Sequence, residues 1–250
     1  MNTMTIDWPD LPSNVHVLST LRGGGVSTAP YDDGHGGGGL NLGEHVGDQA
    51  ASVAQNRARL RTVLPTDPAW ITQVHGTLVV DAARVVAAPS ADASFTTQAG
   101  IVCAVMTADC LPVLFCDKAG QVVAAAHAGW RGLASGVLQN TLGAMRAAGA
   151  GPISAWLGPA IGPQQFEVGD DERAAFITVD PAAALGFVHI SNRPGKYFAN
   201  IYLLARQILE RENVLQISGG TACTMSEPDR YFSFRRDQHT GRMATMIWRS

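Results

Sequence analysis

Residues 106–132, MTADCLPVLFCDKAGQVVAAAHAGWRG, contain the features around which the rest of the chain is arranged. Two short, continuous apolar runs, residues 112–116 and 122–126, predict buried β-strands. A third such run, residues 101–107, precedes them. Because strands here come in groups rather than in strict alternation with helices, the sequence favours an α+β fold over a doubly wound sheet.

Three side chains near the ends of predicted strands form a candidate metal site. Cys110 lies between two of these strands, His127 ends the next, and His75 follows an upstream apolar run in Q-V-H-G. One thiolate and two imidazoles suit zinc, and three ligands with an open position are the catalytic arrangement. Since no C-x-x-C or H-x-x-x-H pair supplies a fourth ligand, we predict a catalytic zinc site.

Asp109, directly before Cys110, is the carboxyl group that could relay protons beside the metal. Zinc brings the pKa of a bound water to about 7, which makes hydroxide available at neutral pH. Asp is equally common as a turn or cap residue, so both interpretations stay open. A metal-free alternative uses the same stretch, with Cys110 as the nucleophile of a hydrolase and His127 as its base.

The length of 250 residues is at the upper end for a single domain, residues 1–250, and is long enough to bury a substantial core. The 18 basic and 21 acidic residues give a net charge of −3, so neither nucleic acid nor an anionic membrane is expected as a partner. The chain has no apolar run that would span a bilayer, and its first residues lack the pattern of a signal peptide. The four cysteines form no compact framework, so we expect them to be reduced, in the cytoplasm.

The remaining elements follow without a linker or an internal repeat. Strands are predicted at residues 15–20, 70–74, 77–81, 153–157, 231–234 and 243–248, and helices at 49–64, 170–176 and 197–212. A further helix is predicted after the turn at residues 129–132, to about Ala148. In the first helix, Val53, Leu60 and Leu64 are spaced for one buried face, and Pro65 ends it.

Two Gly-rich segments lie near the N-terminus. R-G-G-G-V-S, from Arg22, could wrap phosphate with backbone N–H groups, but it lacks the Lys and Ser/Thr of a P-loop, and a tight turn is favoured. G-H-G-G-G-G, residues 34–39, predicts a mobile loop in which His35 is solvated rather than a ligand.

Several motifs together resemble the YfiH/laccase-domain family, also called the polyphenol oxidase-like or purine nucleoside phosphorylase family. The resemblance covers nearly the whole chain. The motifs are, in chain order, N-L-G-E-H-V-G-D, N-R-A-R-L, Q-V-H-G, T-A-D-C-L-P-V, H-A-G-W-R-G, G-P-A-I-G-P, F-S-F-R-R-D and G-R-M-A.

The resemblance implies a four-layer α/β/β/α sandwich with mixed sheets. It implies phosphorolysis of adenosine, inosine, guanosine and methylthioadenosine, and deamination of adenosine. The partners would then be purine nucleosides and phosphate, and the protein a monomer or weak homodimer. Asn41, Arg57 and Gln73 lie in matching segments and are candidate substrate-binding residues.

Phosphorolysis also needs cationic side chains, because guanidinium groups fit phosphate oxygens. The candidates are Arg22, Arg57, Arg131 and Arg235. Arg131 follows Trp130 in H-A-G-W-R-G, a turn that precedes a predicted helix N-terminus. Gly129 and Gly132 are expected in this turn because they allow backbone angles that other residues resist. This corner would either bind phosphate or orient the metal shell, with Trp130 as a wall. Alternatively, Trp130 fills the core and Arg131 pairs with a carboxylate.

Two further alternatives come from the resemblance. The older family name implies a copper polyphenol oxidase, but multicopper chemistry needs several His-rich centres, and this chain has 7 His. Copper is therefore a weaker prediction than zinc. The second alternative is a non-catalytic or editing role in cell-wall precursor synthesis. Activity assays on nucleosides, compared with assays of cell-wall precursor binding, would distinguish it from the enzyme.

Overall fold

The computed structural model describes all of residues 1–250, and its main elements form four layers in the order helix, sheet, sheet, helix. The strands are β1 Val15–Ser19, β2 Gly23–Ser27, β3 Pro68–Ala69, β4 Val79–Asp81, β5 Ala93–Thr96, β6 Val102–Thr107, β7 Leu111–Asp117, β8 Val123–Ala128, β9 Ile153–Leu157, β10 Glu167–Gly169, β11 Phe187–His189, β12 Lys196–Ala199, β13 Ile217–Gly219 and β14 Met243–Arg249. The α-helices are α1 Ala50–Arg61, α2 Trp130–Ser135, α3 Val137–Ala147, α4 Asp170–Ile177, α5 Ile201–Arg211 and α6 Phe234–Asp237, and 3-10 helices cover Glu44–Val46, Ala82–Arg84 and Pro181–Gly186.

The larger sheet has six strands in the order β13-β9-β7-β8-β5-β4, with parallel pairs at both edges and antiparallel pairs between them. Its central strands, β7 and β8, are buried at every position. Both faces of this hairpin are covered, which explains why the sequence shows continuous apolar runs instead of alternation. The three strands predicted around Cys110 are confirmed.

A four-stranded sheet, β1-β14-β6-β3, packs against the six-stranded sheet. The apolar cluster between them includes Cys103 and Ile247 from one sheet and Leu114 and Trp156 from the other. A second cluster joins the outer face of the small sheet to α1 through Leu60. The largest cluster packs α2, α3 and α5 on the outer face of the large sheet. This is the α/β/β/α sandwich with mixed sheets that the resemblance implied.

The strand predicted at residues 70–74 was wrong. The segment forms only one isolated bridge, between Thr72 and Ser90, and no ladder. The N–H of Thr72 donates to the carbonyl of Pro89 at 2.8 Å, and the N–H of Val74 donates to the carboxylate of Asp92 at 3.2 Å. This irregular path places the following residue, His75, at the sheet edge.

Three other boundaries differ from the prediction. The helix predicted after residues 129–132 begins earlier, at Trp130, and is broken into α2 and α3 at Gly136, whose φ of 103° is left-handed. The first turn predicted for α5 is strand β12, and Asn200 begins the helix by accepting the N–H of Leu203 at 3.0 Å. The strand predicted at residues 231–234 is absent, because Ser233 caps the short helix α6.

The Gly-rich segments pack together. Residues 23–27 form β2, and the N–H groups of Gly24 and Gly25 donate to the carbonyl of Gly38 at 3.1 and 3.0 Å. The loop of residues 34–39 is thereby tied to a strand. No helix of the fold combines the length and the apolar character needed to cross a bilayer.

Candidate metal centre

His75, Cys110 and His127 come together at one end of the large sheet, with their ligand atoms all within 4.8 Å of one another. Nε2 of His75 lies 3.7 Å from Sγ of Cys110, and the two imidazole rings meet edge to face at 4.8 Å between centroids. The register of β7 and β8 pairs Pro112 with His127, which brings the turn carrying Cys110 beside that histidine. His127 is buried, Cys110 is half-buried and His75 is exposed, so the group opens toward solvent.

A fourth side chain, Asp92, contacts two of these residues. It is fully buried directly before β5, and Oδ1 lies 2.8 Å from Nδ1 of His127. The same carboxylate accepts the backbone N–H groups of Val74, His75 and Gly76 at 3.2, 2.9 and 2.6 Å. Burial acts to raise the pKa of Asp92, but the hydrogen bonds from His127 and from backbone N–H groups outweigh burial. The net effect is a lowered pKa. Asp92 is therefore a carboxylate held in its charged form.

The Cys110 thiol is also shifted toward its charged form. Burial raises its pKa, but the imidazoles of His127 and His75 outweigh this and lower it to about 6. Burial lowers the pKa of His127, yet Cys110 and Asp92 raise it to about 9. Since the thiolate is the form of cysteine that binds metals and attacks electrophiles, the environment prepares Cys110 for either role.

A cleft of about 860 Å³ lies over this group. One part is polar and contains the three ligand residues together with Arg57, Arg242 and His45. An apolar wall is formed by Ala82, Ala83 and residues 85–88, where Val86 is 99% exposed. The cleft thus joins a cationic end with potential metal ligands to an apolar wall, a combination typical of sites for small organic molecules.

Two arginines line the cleft. Arg57 donates to the carboxylate of Glu44 at 2.7 Å and stacks on Trp70 at 4.5 Å. Arg242 forms no ion pair; its guanidinium donates only to the carbonyls of Thr240 and Gly241, at 3.0 and 3.1 Å. Burial lowers the pKa of Arg242, while Cys110 and Asp109 act to raise it. Arg242 therefore offers an uncompensated positive charge to a ligand in the cleft.

The chain is similar to one protein family over nearly its whole length. Residues 16–250 match the family described as multi-copper polyphenol oxidoreductase laccase. The chain belongs to this family. Curated relatives include the purine nucleoside phosphorylase YfiH of Escherichia coli, which is 51% identical over 244 residues with 96% of each chain covered. Another is a purine nucleoside phosphorylase of Pseudomonas aeruginosa, 47% identical over 98% of this chain and 97% of its own.

Solved structures of similar chains share the whole fold. A Neisseria meningitidis protein superposes with a TM-score of 0.91 at 50% identity, and all of both chains is covered. YlmD from Geobacillus stearothermophilus superposes with a TM-score of 0.88 at 30% identity, covering 100% of this chain and 96% of its own. The fold and the family predicted from the sequence motifs are confirmed.

The laccase family name implies several copper ions, but this chain brings only one group of three metal-binding side chains together. His45 lines the same cleft without belonging to that group. A multicopper centre needs further His-rich sites. This laccase-family chain has room for one metal ion held by nitrogen and sulfur.

Two of the predicted substrate residues, Gln73 and Asn41, act on the backbone around the cleft. The side chain of Gln73, which lines the cleft, accepts the N–H of Met106 and donates to its carbonyl, both at 2.7 Å. Asn41 is fully buried, and Oδ1 accepts the N–H of Arg242 at 2.9 Å. Asn41 thus fixes the backbone of the unpaired arginine.

The other predicted residues do not line the cleft. Arg22 is buried and donates to the carbonyl and carboxylate of Asp32 at 2.7 and 3.2 Å. Asp109 accepts the hydroxyl of Thr224 and the N–H of Arg235, each at 2.6 Å, so it caps α6. Arg235 itself is exposed, and its guanidinium donates to the carbonyl of Glu167 at 3.0 Å.

The corner at Trp130 and Arg131 matches one of the two interpretations in part, because Trp130 is partly buried and packs against the largest apolar cluster. Arg131 is exposed and lies 4.7 Å above the ring of Trp130, without a carboxylate partner. Helix α2 has only six residues, so its N-terminus carries little dipole. Gly129 has φ −59° and ψ 154°, angles that any residue adopts, so the expected need for special backbone angles was wrong there.

Sequence reasoning missed Asp92 and Arg242. Asp92 lies in S-A-D-A-S-F, between two predicted strands, where a single Asp predicts only a turn. Arg242 belongs to G-R-M-A, a motif used for the resemblance but not for the site. The sequence therefore contained no signal for Asp92. Arg242 could have been found by treating every arginine in a matched motif as a candidate.

Proposed function

We propose that this chain is a purine nucleoside phosphorylase that cleaves purine nucleosides with inorganic phosphate. The observation that carries the proposal is the position of the unpaired Arg242 in the same cleft as His75, Cys110 and His127. The full-length relatives that carry this enzyme name support it independently.

We propose zinc as the metal, bound by His75, Cys110 and His127. Two imidazoles and one thiolate are the donor types that zinc prefers, and three protein ligands leave a position open toward the cleft. The bound ion would act as a Lewis acid at that open position. Asp92 supports the fit, because metal-bound imidazoles donate their other N–H to a carboxylate or carbonyl.

Phosphate would be held at the cationic end of the cleft. Arg242 has no competing carboxylate, and Arg57 and His45 line the same end. Charge-assisted hydrogen bonds from guanidinium groups are short and about twice as strong as neutral ones. These residues would hold the phosphate oxygens against the anomeric carbon of the ribose, whose bond to the purine then breaks.

The purine and the ribose substituents would lie toward the apolar side of the cleft. Phe234 is half exposed in the cleft, with its ring 5.8 Å from the guanidinium of Arg242, and Ala82, Ala83 and residues 85–88 offer aliphatic contacts. An exposed aromatic ring favours stacking with a flat base. The resemblance also implied adenosine deamination, and we propose that it takes place in the same cleft. Asp109 is a poor candidate for the proton relay of that reaction, because its carboxylate accepts hydrogen bonds from Thr224 and Arg235.

A cysteine hydrolase is the second candidate, and a specific geometry favours it. Cys110, His127 and Asp92 form a chain from nucleophile to base to orienting carboxylate, as in cysteine hydrolases that use no metal. Metal content decides between the two. A zinc phosphorylase holds one zinc per chain, whereas a hydrolase keeps its activity after chelation.

The test of the phosphorylase is product analysis with adenosine and inosine in the presence and absence of phosphate. We expect free base and ribose 1-phosphate, formed only when phosphate is present. Equal cleavage without phosphate would show a hydrolase, and no cleavage of any purine nucleoside would reject the proposed reaction.

A further inference from the structure

The carboxylate of Asp92 forms hydrogen bonds with two of the three candidate metal ligands, His75 and His127, and with the residues on either side of His75. Oδ1 accepts the N–H of His75 at 2.9 Å and lies 2.8 Å from Nδ1 of His127, while Oδ2 accepts the N–H groups of Gly76 and Val74 at 2.6 and 3.2 Å. All four contacts come from donors, and the carboxylate has no exposed surface. One buried carboxylate therefore connects two of the three candidate ligands.

We infer that Asp92 is the positioning residue of the metal centre, acting on His127 through its side chain and on His75 through its backbone. With Nδ1–H of His127 donated to Asp92, the lone pair of Nε2 is left for the metal. The inference rests on the proposed function only in taking zinc as the metal.

The backbone of His75 needs this support. Its φ is +59°, in the left-handed region that non-glycine residues seldom adopt. Such a conformation is strained and persists only where neighbouring contacts hold it. Three consecutive N–H groups pointing at one carboxylate hold this turn, so the position of the exposed His75 side chain depends on a buried charge.

Asparagine cannot replace Asp92, although it has the same shape. If the amide nitrogen takes the place of Oδ2, it faces the N–H groups of Val74 and Gly76, which are donors. If it takes the place of Oδ1, it faces the N–H of His75 and donates to Nδ1 of His127. The proton of His127 then moves to Nε2, which removes the lone pair that the metal needs.

Asp117 provides a matched control. It is 2% exposed and accepts only backbone N–H groups, those of Gln121 and Val122 at 2.7 and 2.8 Å and that of Ala119 at 3.4 Å. It caps the turn at the far end of the same β7–β8 hairpin. Asp117→Asn therefore removes a buried turn carboxylate without touching a metal ligand.

The experiment measures the affinity for zinc alone, by competition with a chromophoric chelator, in the wild type, Asp92→Asn and Asp117→Asn. We expect Asp92→Asn to bind zinc about 10- to 100-fold more weakly. Asp117→Asn should bind zinc as the wild type does, although we expect both variants to be destabilised in urea unfolding. The Co²⁺-substituted Asp92→Asn protein should also show a changed ligand-field spectrum.

Wild-type zinc affinity in Asp92→Asn, or an equal loss in Asp117→Asn, would overturn the inference. Should Asp92→Asn fail to fold, ¹⁵N NMR of histidine in the zinc-loaded wild type decides: His127 must carry its proton on Nδ1, and a proton-free Nδ1 rejects the role. Neither readout uses turnover. A failure of the phosphorylase assay therefore leaves this test intact.

Discussion

Gly129 packs directly against His75: a Cβ atom at residue 129 would lie 2.7 Å from Cδ2 of the His75 ring. It would also come within 3.1 Å of Sγ of Cys110. The start of α2 therefore touches two candidate metal ligands from behind. The sequence suggested glycine here for its backbone angles, whereas the structure requires it for space.

We therefore expect Gly129→Ala to weaken zinc binding, because the added methyl displaces the His75 ring. The loss in zinc-binding free energy should be at least as large as the loss in the free energy of unfolding. The measurement is the zinc dissociation constant by chelator competition, together with urea unfolding. Gly143→Ala is the control, since a Cβ there meets no atom within 4 Å. That change should be stabilising by up to about 1 kcal/mol, because Ala is the better helix former. Unchanged zinc affinity in Gly129→Ala would contradict the packing argument.

Removal of the thiolate tests the metal centre itself. Cys110→Ala should carry far less zinc than the wild type, with the fold retained, because two imidazoles alone hold zinc weakly. In the wild type, free zinc at 100 times its dissociation constant should raise the free energy of unfolding by about 2.7 kcal/mol, and in Cys110→Ala by much less. Cys223→Ala, a half-buried cysteine outside the group, is the control. Wild-type protein without stoichiometric metal in any preparation would rule the site out.

Asp109→Asn distinguishes a cap from a proton relay. The amide can still accept the N–H of Arg235 and can donate to the hydroxyl of Thr224, so both contacts of Asp109 survive. We expect near wild-type stability in urea and near wild-type turnover. Asp109→Ala should lose about 1–3 kcal/mol, because it leaves buried partners unsatisfied. A stable Asp109→Asn protein without adenosine deaminase activity would instead show a relay.

The parts of the fold that could be predicted are those encoded locally. Strands β6, β7 and β8 are continuous apolar runs with both faces buried, and the candidate ligands flank them in short motifs. The pairing of β1 with β14 joins residues at opposite ends of the chain, such as Val15 and Arg249, and no local pattern reports it. The sequence likewise did not show that β12 would find partners in β10 and β11, so its aromatic residues were assigned to a helix.

The candidate site divides in the same way. His75, Cys110 and His127 were predicted from side-chain chemistry, and the structure brings them within 4.8 Å. The choice among arginines depends on which guanidinium groups lack a partner, and that is a property of tertiary packing. Arg22 forms an ion pair with Asp32, whereas Arg242 forms none and donates only to backbone carbonyls. Asp92 serves the site only because the turn at residues 74–76 folds over it.

The last prediction concerns phosphate binding and contrasts Arg242 with Arg131. Arg242 lines the cleft without an ion pair, while Arg131 is exposed on α2 and stacks on Trp130. We expect Arg242→Ala to raise the Michaelis constant for phosphate about tenfold or more, since a charged hydrogen bond contributes roughly 1.5–3 kcal/mol. Arg242→Lys should recover part of this, because the charge is kept and the planar fork is lost.

Arg131→Ala should change neither the Michaelis constant for phosphate nor turnover, because Arg131 does not line the cleft and its guanidinium stacks on Trp130. Steady-state kinetics at varied phosphate, with thermal unfolding of each variant, measure both effects. Arg242 forms no carboxylate contact whose loss would destabilise the fold, so its kinetic defect should appear at nearly unchanged stability. If instead Arg131→Ala raises the phosphate constant while Arg242→Ala does not, phosphate binds at the Trp130 corner and the cleft holds only the nucleoside.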